Sequence, residues 1–295
     1  MPVQKLSTPL ALKKPKSLKA MHDSQLIFLK LGGSLISQKD QADTARLELI
    51  HALLGQISAF IKDNPDQKIL LGHGSGSFGH MPARVYGTRD GVYTPTEWAG
   101  YQEVWWHARQ LNQIVLELGT RLSLPLLSFP PSAMVITRQH VIQTWDTQPI
   151  QSALEHGIIP LVYGDVVTDL AIGGTILSTE DLFLHLARQF KPARVLLAGI
   201  EEGVFADYPK NQVLLKSIPA NARLDESVTT SGFVDVTGGM RAKLVIAQQI
   251  CLENPGTEVR IFSATNPDQM RAALEGEPLG TLIHYANRPD PVEHN

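Results

Sequence analysis

The chain contains few of the features that mark secreted, membrane-spanning or nucleic-acid-binding proteins. Its one cysteine, Cys251, has no partner for an internal disulfide, which fits a reducing compartment and predicts a cytoplasmic location. No apolar run approaches the roughly 18 to 20 residues that span a bilayer, so no membrane association is expected. A net charge of -3 excludes a broad basic surface, and nucleic acid is therefore not an expected partner.

Apolar residues, in contrast, are abundant. They make up 43% of the 295 residues, which is enough for one large α/β domain or two lobes. Apolar segments alternate with longer helical patterns, and this order predicts an α/β fold with crossovers onto a largely parallel sheet. The predicted strands cover residues 25–31, 68–72, 124–129, 158–163, 194–198, 258–262 and 281–284.

Helices are predicted between these strands. In the clearest, residues 96–122, apolar residues recur at steps of three and four, and further helices follow at 179–190 and 239–252. Two hairpins are predicted at 135–144 and 165–177, the second turning at Gly173-Gly174. Residues 1–24 are basic and lack an apolar signal core, so we interpret them as a flexible tail.

Two glycine-rich turns follow predicted strands. Residues 30–34 read Lys-Leu-Gly-Gly-Ser, and residues 72–80 place four glycines in the eight positions before His80. Phosphoryl transfer requires backbone N–H groups at close approach and cations on the transferring group, and turns of this composition supply both. The imidazolium of His80 can donate a hydrogen bond to an acceptor phosphate. The two turns therefore predict a kinase site.

Other nucleotide-binding patterns have to be weighed against this prediction. The second turn matches the GxGxxG pattern of Rossmann oxidoreductases over residues 74–79, but that pattern opens directly into a helix. Here Pro82, Gly87, Gly91 and Pro95 are expected to delay any helix until about residue 96. The P-loop pattern GxxxxGK[ST] is absent, which excludes a P-loop kinase as far as sequence can.

Further segments carry candidate site residues with open alternatives. Gly239 and Lys243 belong to a third glycine turn, where the first amides of a helix and a lysine suit nucleotide phosphates. Lys39 either folds over the same phosphates or is a solvated loop lysine. Glu180 and Asp181 are favourable first-turn charges, or they orient the lysines or hold magnesium through water. The strand-end glycine at 164 is a turn residue or a substrate contact.

As an ordered set, these segments resemble the isopentenyl phosphate kinases of the amino acid kinase superfamily, over about residues 25–284. The resemblance is carried by Lys30-Leu-Gly-Gly-Ser34, Lys39, His73-Gly-Ser-Gly-Ser-Phe-Gly-His80, Tyr163-Gly-Asp165, Gly203-Val-Phe205 and Thr237-Gly-Gly-Met-Arg-Ala-Lys243. The histidine after Ser-Phe-Gly separates this branch from glutamate, acetylglutamate and uridylate kinases. The resemblance implies a three-layer sandwich with a central, mostly parallel sheet. An acceptor lobe (25–175) and a nucleotide lobe (176–295) would share that continuous sheet.

The resemblance also implies a reaction in which isopentenyl phosphate and ATP give isopentenyl diphosphate and ADP. Lys30 and Lys243 would neutralise the transferring phosphoryl group, Lys39 would stabilise the transition state, and His80 would hold the acceptor phosphate. The nucleotide contacts would be Gly32, Gly33, Ser34, Gly76, Glu180, Asp181, Gly203, Asp207, Gly239 and Lys243, and the acceptor contacts Ser75, Gly79, His80 and Gly164. Mg²⁺ would be held mainly by the ATP phosphates, with no protein ligand assigned. The family suggests a homodimer.

Two positions depart from the family pattern. Ser75 stands where the family usually has glycine or alanine, so a positive φ at this position would be costly. Glu180 stands where an aspartate is expected, so the carboxylate that orients the lysines is either Glu180 or Asp181.

Two alternative functions remain open. A kinase of a phosphonate such as fosfomycin would share the histidine and every ATP contact. A non-catalytic, nucleotide-sensing regulator would use the same fold, but a sensor has no need of the transition-state cations Lys30, Lys39 and Lys243.

Overall fold

The computed structural model of this protein describes residues 25–38, 40–222 and 238–285. The predicted tail over residues 1–24 and the candidate Lys39 lie outside the described residues. In chain order the elements are β1 (Leu26–Leu31), α1 (Gly33–Ile36), α2 (Leu47–Asp63), β2 (Lys68–His73), α3 (Gly76–Tyr86), α4 (Pro95–Arg121), β3 (Leu126–Ser128), α5 (Pro131–Met134), β4 (Val135–Arg138), β5 (Val141–Trp145), α6 (Gln148–Glu155), β6 (Ile159–Tyr163), β7 (Asp165–Asp169), β8 (Gly173–Leu177), α7 (Thr179–Phe190), β9 (Arg194–Gly199), β10 (Ser217–Pro219), α8 (Gly238–Glu253), β11 (Glu258–Ser263), α9 (Asp268–Glu275) and β12 (Thr281–His284).

An eight-stranded sheet in the order β10-β12-β11-β9-β1-β2-β6-β3 forms the centre of the molecule. Its neighbouring strands are parallel except for the antiparallel pair β11 and β12. The predicted α/β fold with a mostly parallel sheet is confirmed. A smaller sheet, in the order β5-β4-β7-β8, joins the two predicted hairpins.

Helices cover both faces of the central sheet, which explains why β1 is apolar throughout most of its length. Leu26 and Phe28 of β1 belong to a core cluster that includes residues of α7 and α8. Ile27 and Leu29 belong to the opposite cluster, which includes residues of α2, α4 and α9. All six residues of β1 are buried, as expected for a strand of a parallel sheet covered on both sides. Among the described helices none is long and apolar enough to cross a bilayer.

Strand order brings the predicted site segments together. In the neighbouring parallel strands β9, β1, β2 and β6, Leu31 pairs with both Ala198 and His73, and His73 pairs with Tyr163. These strands therefore end at the same edge, where ligands of open α/β sheets bind. The first glycine turn follows β1, the second follows β2, and Gly164 follows β6.

One expectation about the second glycine turn was wrong. Helix α3 begins at Gly76, inside this turn, although Pro82 was expected to prevent it. A proline inside a helix removes one backbone donor and strains the preceding turn. The first turn of α3 from Gly76 to Gly79 is buried, so tertiary packing holds it, and the helix ends only at Gly87, where φ is 63°. Because this helix is present, its expected absence was not a valid reason to reject a dinucleotide-binding fold.

The second predicted hairpin is present, but its turn is displaced. Gly173 and Gly174 lie within β8, and the connection from β7 spans residues 170–172. Asp169 holds this connection because its Oδ1 accepts hydrogen bonds from Ala171 N and Ile172 N at 2.9 and 3.2 Å. The predicted lobe boundary near residue 175 also falls inside β8, and the division into lobes stays a prediction.

Candidate active site

The two glycine turns lie against each other, backbone to backbone. A Cβ atom on Gly33 would lie 2.5 Å from Gly76 N, and one on Gly74 would lie 2.7 Å from Gly33 N. Gly32 N donates to Ala198 O at 2.8 Å, and a Cβ on Gly32 would lie 2.8 Å from the same oxygen. Only glycine permits such contacts, so the glycines are required for close packing of the turns.

Ser37, which was not predicted as a site residue, links the two turns. Its hydroxyl donates to Gly33 O at 2.8 Å and accepts from Ser77 N at 2.9 Å. A Cβ on Gly76 would lie 2.1 Å from Ser37 Oγ, and φ of Gly76 is 52°, a value that favours glycine. The contact joins residues 40 positions apart, so local sequence contains no signal for it.

The expected strain at Ser75 is absent. Ser75 is the N-cap residue of α3 with φ of -73°, an ordinary value, so serine is tolerated where the family usually has glycine or alanine. The positive φ occurs one residue later, at Gly76. Gly79 packs on Ser75, because a Cβ on Gly79 would lie 2.5 Å from Ser75 Oγ. Ser34, a further predicted residue, lies in the one-turn helix α1 and is partly exposed.

Lys30 and Glu180 form a buried ion pair at the end of β1. The ammonium of Lys30 contacts Glu180 Oε1, and the two residues are 6% and 7% exposed. Burial lowers the pKa of Lys30, and the Lys243 cation lowers it further, whereas Glu180 favours the charged form. Burial raises the pKa of Glu180, but the attraction of Lys30 outweighs it, so the net pKa lies below its usual value. The sequence left open whether Glu180 or Asp181 orients the lysines, and in the structure it is Glu180 that contacts Lys30.

Asp181 has a different role at the start of α7. Its Oδ2 accepts from Ser178 N at 2.9 Å, and Asp181 N donates to Ser178 Oγ at 3.2 Å. This reciprocal arrangement is a capping box, which satisfies backbone donors at the first turn of a helix. Asp181 therefore holds the helix end that carries Glu180, and its carboxylate is engaged by Ser178 and not by Lys30.

Lys243 approaches the same edge of the sheet from α8. Its Nζ lies 3.8 Å from Glu201 Oε2, an acid that sequence reasoning missed. Both atoms lie above the end of β9, because a Cβ on Gly199 would be 3.2 Å from that carboxylate oxygen and 3.8 Å from that Nζ. The charge of Lys243 also influences the pKa values of Lys30 and Glu180. Glu201 is the second residue after the end of β9, and an acid so close to a strand end is the sequence signal that could have identified it.

His80 is the last residue of the second glycine turn and lies in α3, and its side chain is exposed. Desolvation lowers its pKa, and the cations Lys30 and Arg89 lower it further, while Glu180 acts in the opposite direction. These influences place His80 within electrostatic range of the Lys30–Glu180 pair. Arg89 is a neighbouring cation that sequence reasoning did not identify.

Gly164 joins the second glycine turn to the start of α7. Its N–H donates to His73 O at 3.1 Å, and the Thr179 hydroxyl donates to the same oxygen at 2.6 Å. A Cβ on Gly164 would lie 3.7 Å from Ser75 N. Asp165, the next residue, is buried, and burial raises its pKa to about 6 against hydrogen bonds from Ser132 N and Val166 N.

The remaining predicted nucleotide contacts lie in segments around β9 and α8. Gly203 is buried, and a Cβ there would lie 2.6 Å from Thr281 Oγ1. Asp207 accepts from Gln212 N and Val213 N at 3.0 and 2.9 Å, so its carboxylate holds the chain between β9 and β10. Gly239 lies at the start of α8, where a Cβ would meet no atom of the described residues within 4 Å. Within the described ranges, no three His, Cys, Asp or Glu side chains are grouped in a way that could hold a metal ion.

Comparison with known proteins identifies similar chains. The amino acid kinase family profile matches residues 25–263. The chain is 31% identical over 267 residues to the isopentenyl phosphate kinase of Methanothermobacter thermautotrophicus, which covers 88% of this chain and 98% of the relative. It is 28% identical over 263 residues to the isopentenyl phosphate kinase of Arabidopsis thaliana, which covers 78% of this chain and 79% of the relative.

Solved structures support the same likeness. An X-ray structure of isopentenyl phosphate kinase superposes with a TM-score of 0.74 at 27% identity, covering 88% of this chain and 99% of that chain. The product complex of the T. acidophilum isopentenyl phosphate kinase has a TM-score of 0.72 at 24% identity, which is a likeness of fold. The predicted three-layer arrangement around a mostly parallel sheet is therefore confirmed.

Proposed function

Because the chain belongs to the amino acid kinase family, we propose that it is a phosphotransferase that uses ATP to convert isopentenyl phosphate into isopentenyl diphosphate. The proposed substrate is supported by the relatives named isopentenyl phosphate kinase, which match along most of this chain. The resemblance found in the sequence, with His80 after Ser-Phe-Gly, supports the same substrate.

The observation that carries the proposal is that lysine ammonium groups and the imidazole of His80 lie at one edge of the sheet. Lys30 at the end of β1 and Lys243 near the end of β9 supply two ammonium groups, each beside a carboxylate, that of Glu180 or Glu201. The second glycine turn brings His80 within electrostatic range of Lys30. Phosphoryl transfer depends on positioning and on neutralising charge, so this arrangement suits a reaction between two phosphorylated molecules.

In the proposed reaction, an oxygen of the acceptor phosphate forms a bond to the γ-phosphorus of ATP as the bond to the ADP oxygen breaks. The acceptor phosphate is already ionised near neutral pH, so no covalent enzyme intermediate is required. Lys30 and Lys243 would neutralise the transferring group, and His80 would hold the acceptor phosphate. Glu180 would keep Lys30 charged and directed at the reaction centre.

ATP is the proposed phosphoryl donor, and Mg²⁺ would be bound mainly through its phosphates. The backbone at Gly239, which no described residue crowds, and the interlocked turns around Gly33 and Gly76 offer N–H groups suited to those phosphates. The contribution of Lys39, a cytoplasmic location and a homodimer stay predictions.

The proposal is tested by measuring ADP release from ATP with isopentenyl, dimethylallyl, geranyl and simple alkyl phosphates, and with fosfomycin as the competing acceptor. We expect the highest kcat/KM with isopentenyl phosphate. Turnover of fosfomycin without turnover of isopentenyl phosphate would favour the phosphonate kinase instead. Binding of ATP without ADP release for any acceptor would favour the nucleotide-sensing regulator.

A further inference from the structure

His73, the last residue of β2, is fully buried and connects three parts of the site. Its carbonyl oxygen accepts from Gly164 N at 3.1 Å and from the Thr179 hydroxyl at 2.6 Å. It thereby joins β2 to the acceptor-side turn at Gly164 and to the start of the helix that carries Glu180. Neither the sequence pattern nor the proposed reaction gives the His73 side chain a role.

The imidazole of His73 contacts the second glycine turn and α4. Its Nδ1 lies 3.0 Å from Gly74 O, and its Nε2 lies 3.3 Å from Asn112 Oδ1. The ring stacks on Tyr163 with centroids 5.3 Å apart and an interplanar angle of 4°. A carbonyl oxygen only accepts hydrogen bonds, so Nδ1 must carry a proton.

The surroundings of the ring favour its neutral form. The charged group that acts on it from β1 is the cation of Lys30, and no described carboxylate forms a hydrogen bond with either ring nitrogen. From α4 and β6, the neighbouring groups are the Asn112 amide and the Tyr163 ring. Burial, with a contribution from Lys30, lowers the pKa of His73 to about 4.

A neutral ring with a proton on Nδ1 has a lone pair on Nε2 and needs a donor there. Asn112 Nδ2 lies 3.0 Å from Ser128 Oγ. Rotating the Asn112 amide by a half turn directs its N–H₂ group to Nε2 and its oxygen to the Ser128 hydroxyl, which can donate. Each hydrogen bond in the series Gly74 O, His73 ring, Asn112 amide and Ser128 hydroxyl then joins a donor to an acceptor.

The Gly74 carbonyl matters because it shares a peptide plane with the Ser75 N–H. In a trans peptide these two groups point in opposite directions, so fixing the carbonyl fixes the direction of the N–H. Within the described part of the chain, no group accepts a hydrogen bond from Ser75 N. That N–H lies beside Gly164, on the side of the turn assigned to the acceptor.

We propose that His73, as the neutral Nδ1–H tautomer, is a positioning residue that directs the Ser75 N–H at the acceptor phosphate, and that Asn112 and Ser128 fix this tautomer. The identity of the phosphate rests on the proposed function. The tautomer itself does not, because it follows from the contacts of the ring.

The tautomer is tested by ¹⁵N NMR of the full-length protein labelled at its 10 histidines, with the His73 signals assigned by their loss in His73→Asn. We expect a protonated Nδ1 and an unprotonated Nε2, with no titration between pH 5.5 and 8. A proton on Nε2 alone, or two protonated nitrogens at pH 7, would overturn the proposal. This readout is independent of catalysis, so it stands even if isopentenyl phosphate is not a substrate.

The positioning role is tested by kinetics with the same acceptor. His73→Asn keeps an N–H near the Nδ1 position and should leave the acceptor KM within about three-fold of wild type, since the hydrogen bond is retained. His73→Leu should raise it by about five- to ten-fold with little change in the KM for ATP. Equal acceptor KM values in these two variants would contradict the role.

Two further variants separate positioning from loss of packing. Ser128→Ala removes the hydroxyl that donates to the Asn112 oxygen. It should raise the acceptor KM by about two- to three-fold, which is a smaller change in the same direction as that expected for His73→Leu. Val115→Ala removes two buried methyl groups from α4 but none of the hydrogen bonds of His73, Asn112 and Ser128, so it should leave the acceptor KM unchanged. If His73→Leu does not fold, Ser128→Ala with Val115→Ala still decides, because equal effects of both would reject the proposal.

Discussion

Two buried polar clusters lie beside the glycine turns, and they differ in charge. The charged cluster consists of Lys30 and Glu180, with Lys243 and Glu201 above it, whereas the neutral cluster consists of His73, Asn112 and Ser128. In the first, burial lowers the pKa of Lys30, and the attraction of Lys30 lowers the pKa of Glu180 although burial acts in the opposite direction. In the second, no carboxylate pairs with the buried imidazole, whose pKa falls to about 4.

The strands determine which cluster forms on which face of the sheet. Side chains alternate along a strand, so Lys30 lies on the face of Leu26 and Phe28, which α7 covers with Glu180. His73 pairs with Leu31, which belongs to the core cluster on the face covered by α2, α4 and α9, and on that face His73 meets Asn112 of α4. The comparison shows that charged side chains lie where phosphoryl transfer is proposed. Neutral, hydrogen-bonded side chains lie where the proposed role is to position the backbone.

The largest expected effect comes from breaking the charged cluster. Lys30→Met should lower kcat by about 100- to 1,000-fold, because it removes a cation from the transferring group. Steady-state kinetics with saturating ATP and acceptor would measure the change. Lys62→Met removes an exposed lysine at the end of α2 and should leave kcat unchanged.

A loss of stability has to be separated from this loss of chemistry. Lys30→Met leaves Glu180 buried without a partner, which costs about 3–5 kcal/mol of unfolding free energy. The double variant Lys30→Met/Glu180→Gln removes the unpaired charge and should recover stability in urea unfolding. Recovery of kcat together with stability would show that Lys30 acts only through folding.

An intermediate effect is expected at His80, which lies within electrostatic range of the charged cluster. His80→Ala should raise the acceptor KM by about 10- to 100-fold, because a charge-assisted hydrogen bond to the phosphate is lost. The KM for ATP should change little, which initial-rate measurements with each substrate varied would show. His51→Ala, an exposed histidine of α2, serves as the control. A normal acceptor KM in His80→Ala would remove this histidine from the acceptor site.

The smallest effect concerns the pH dependence of stability and the neutral cluster. The pKa of His73 is about 4 in the folded protein, whereas the ordinary value of 6.5 applies in the unfolded chain, which therefore binds more protons between these values. Stability from this group is present above pH 6.5 and is lost as the pH falls towards 4. From pH 7 to pH 5 the loss is roughly 2 kcal/mol.

Urea unfolding of wild type and His73→Asn at both pH values measures this contribution by difference. Asp165 acts in the opposite direction, because its pKa is raised to about 6 and its protonated form is favoured by folding. Asp165 is present in both proteins, so its contribution cancels. A pH dependence that is identical in the two proteins would show that the pKa of His73 is the same in the folded and the unfolded state, which would contradict the lowered value.

Much of the fold followed from local patterns in the sequence. The helix over residues 179–190 and the strand over 281–284 were predicted with the bounds that the structure has, because side-chain periodicity and turn residues act over short distances. Local sequence also predicts phosphate binding at the two glycine turns, with Lys30 and His80 at their ends, since glycine beside a cation has a local chemical meaning.

The sequence by itself therefore determined the α/β order and the chemistry available at the two turns. Tertiary structure alone decided which groups meet: Ser37 joins the turns, Glu180 and not Asp181 pairs with Lys30, and His73 reaches Asn112. It also stabilised α3 despite Pro82. These outcomes depend on strand order, on register and on which helix covers each face, and residues 39 to 150 positions apart along the chain become neighbours only when the sheet forms.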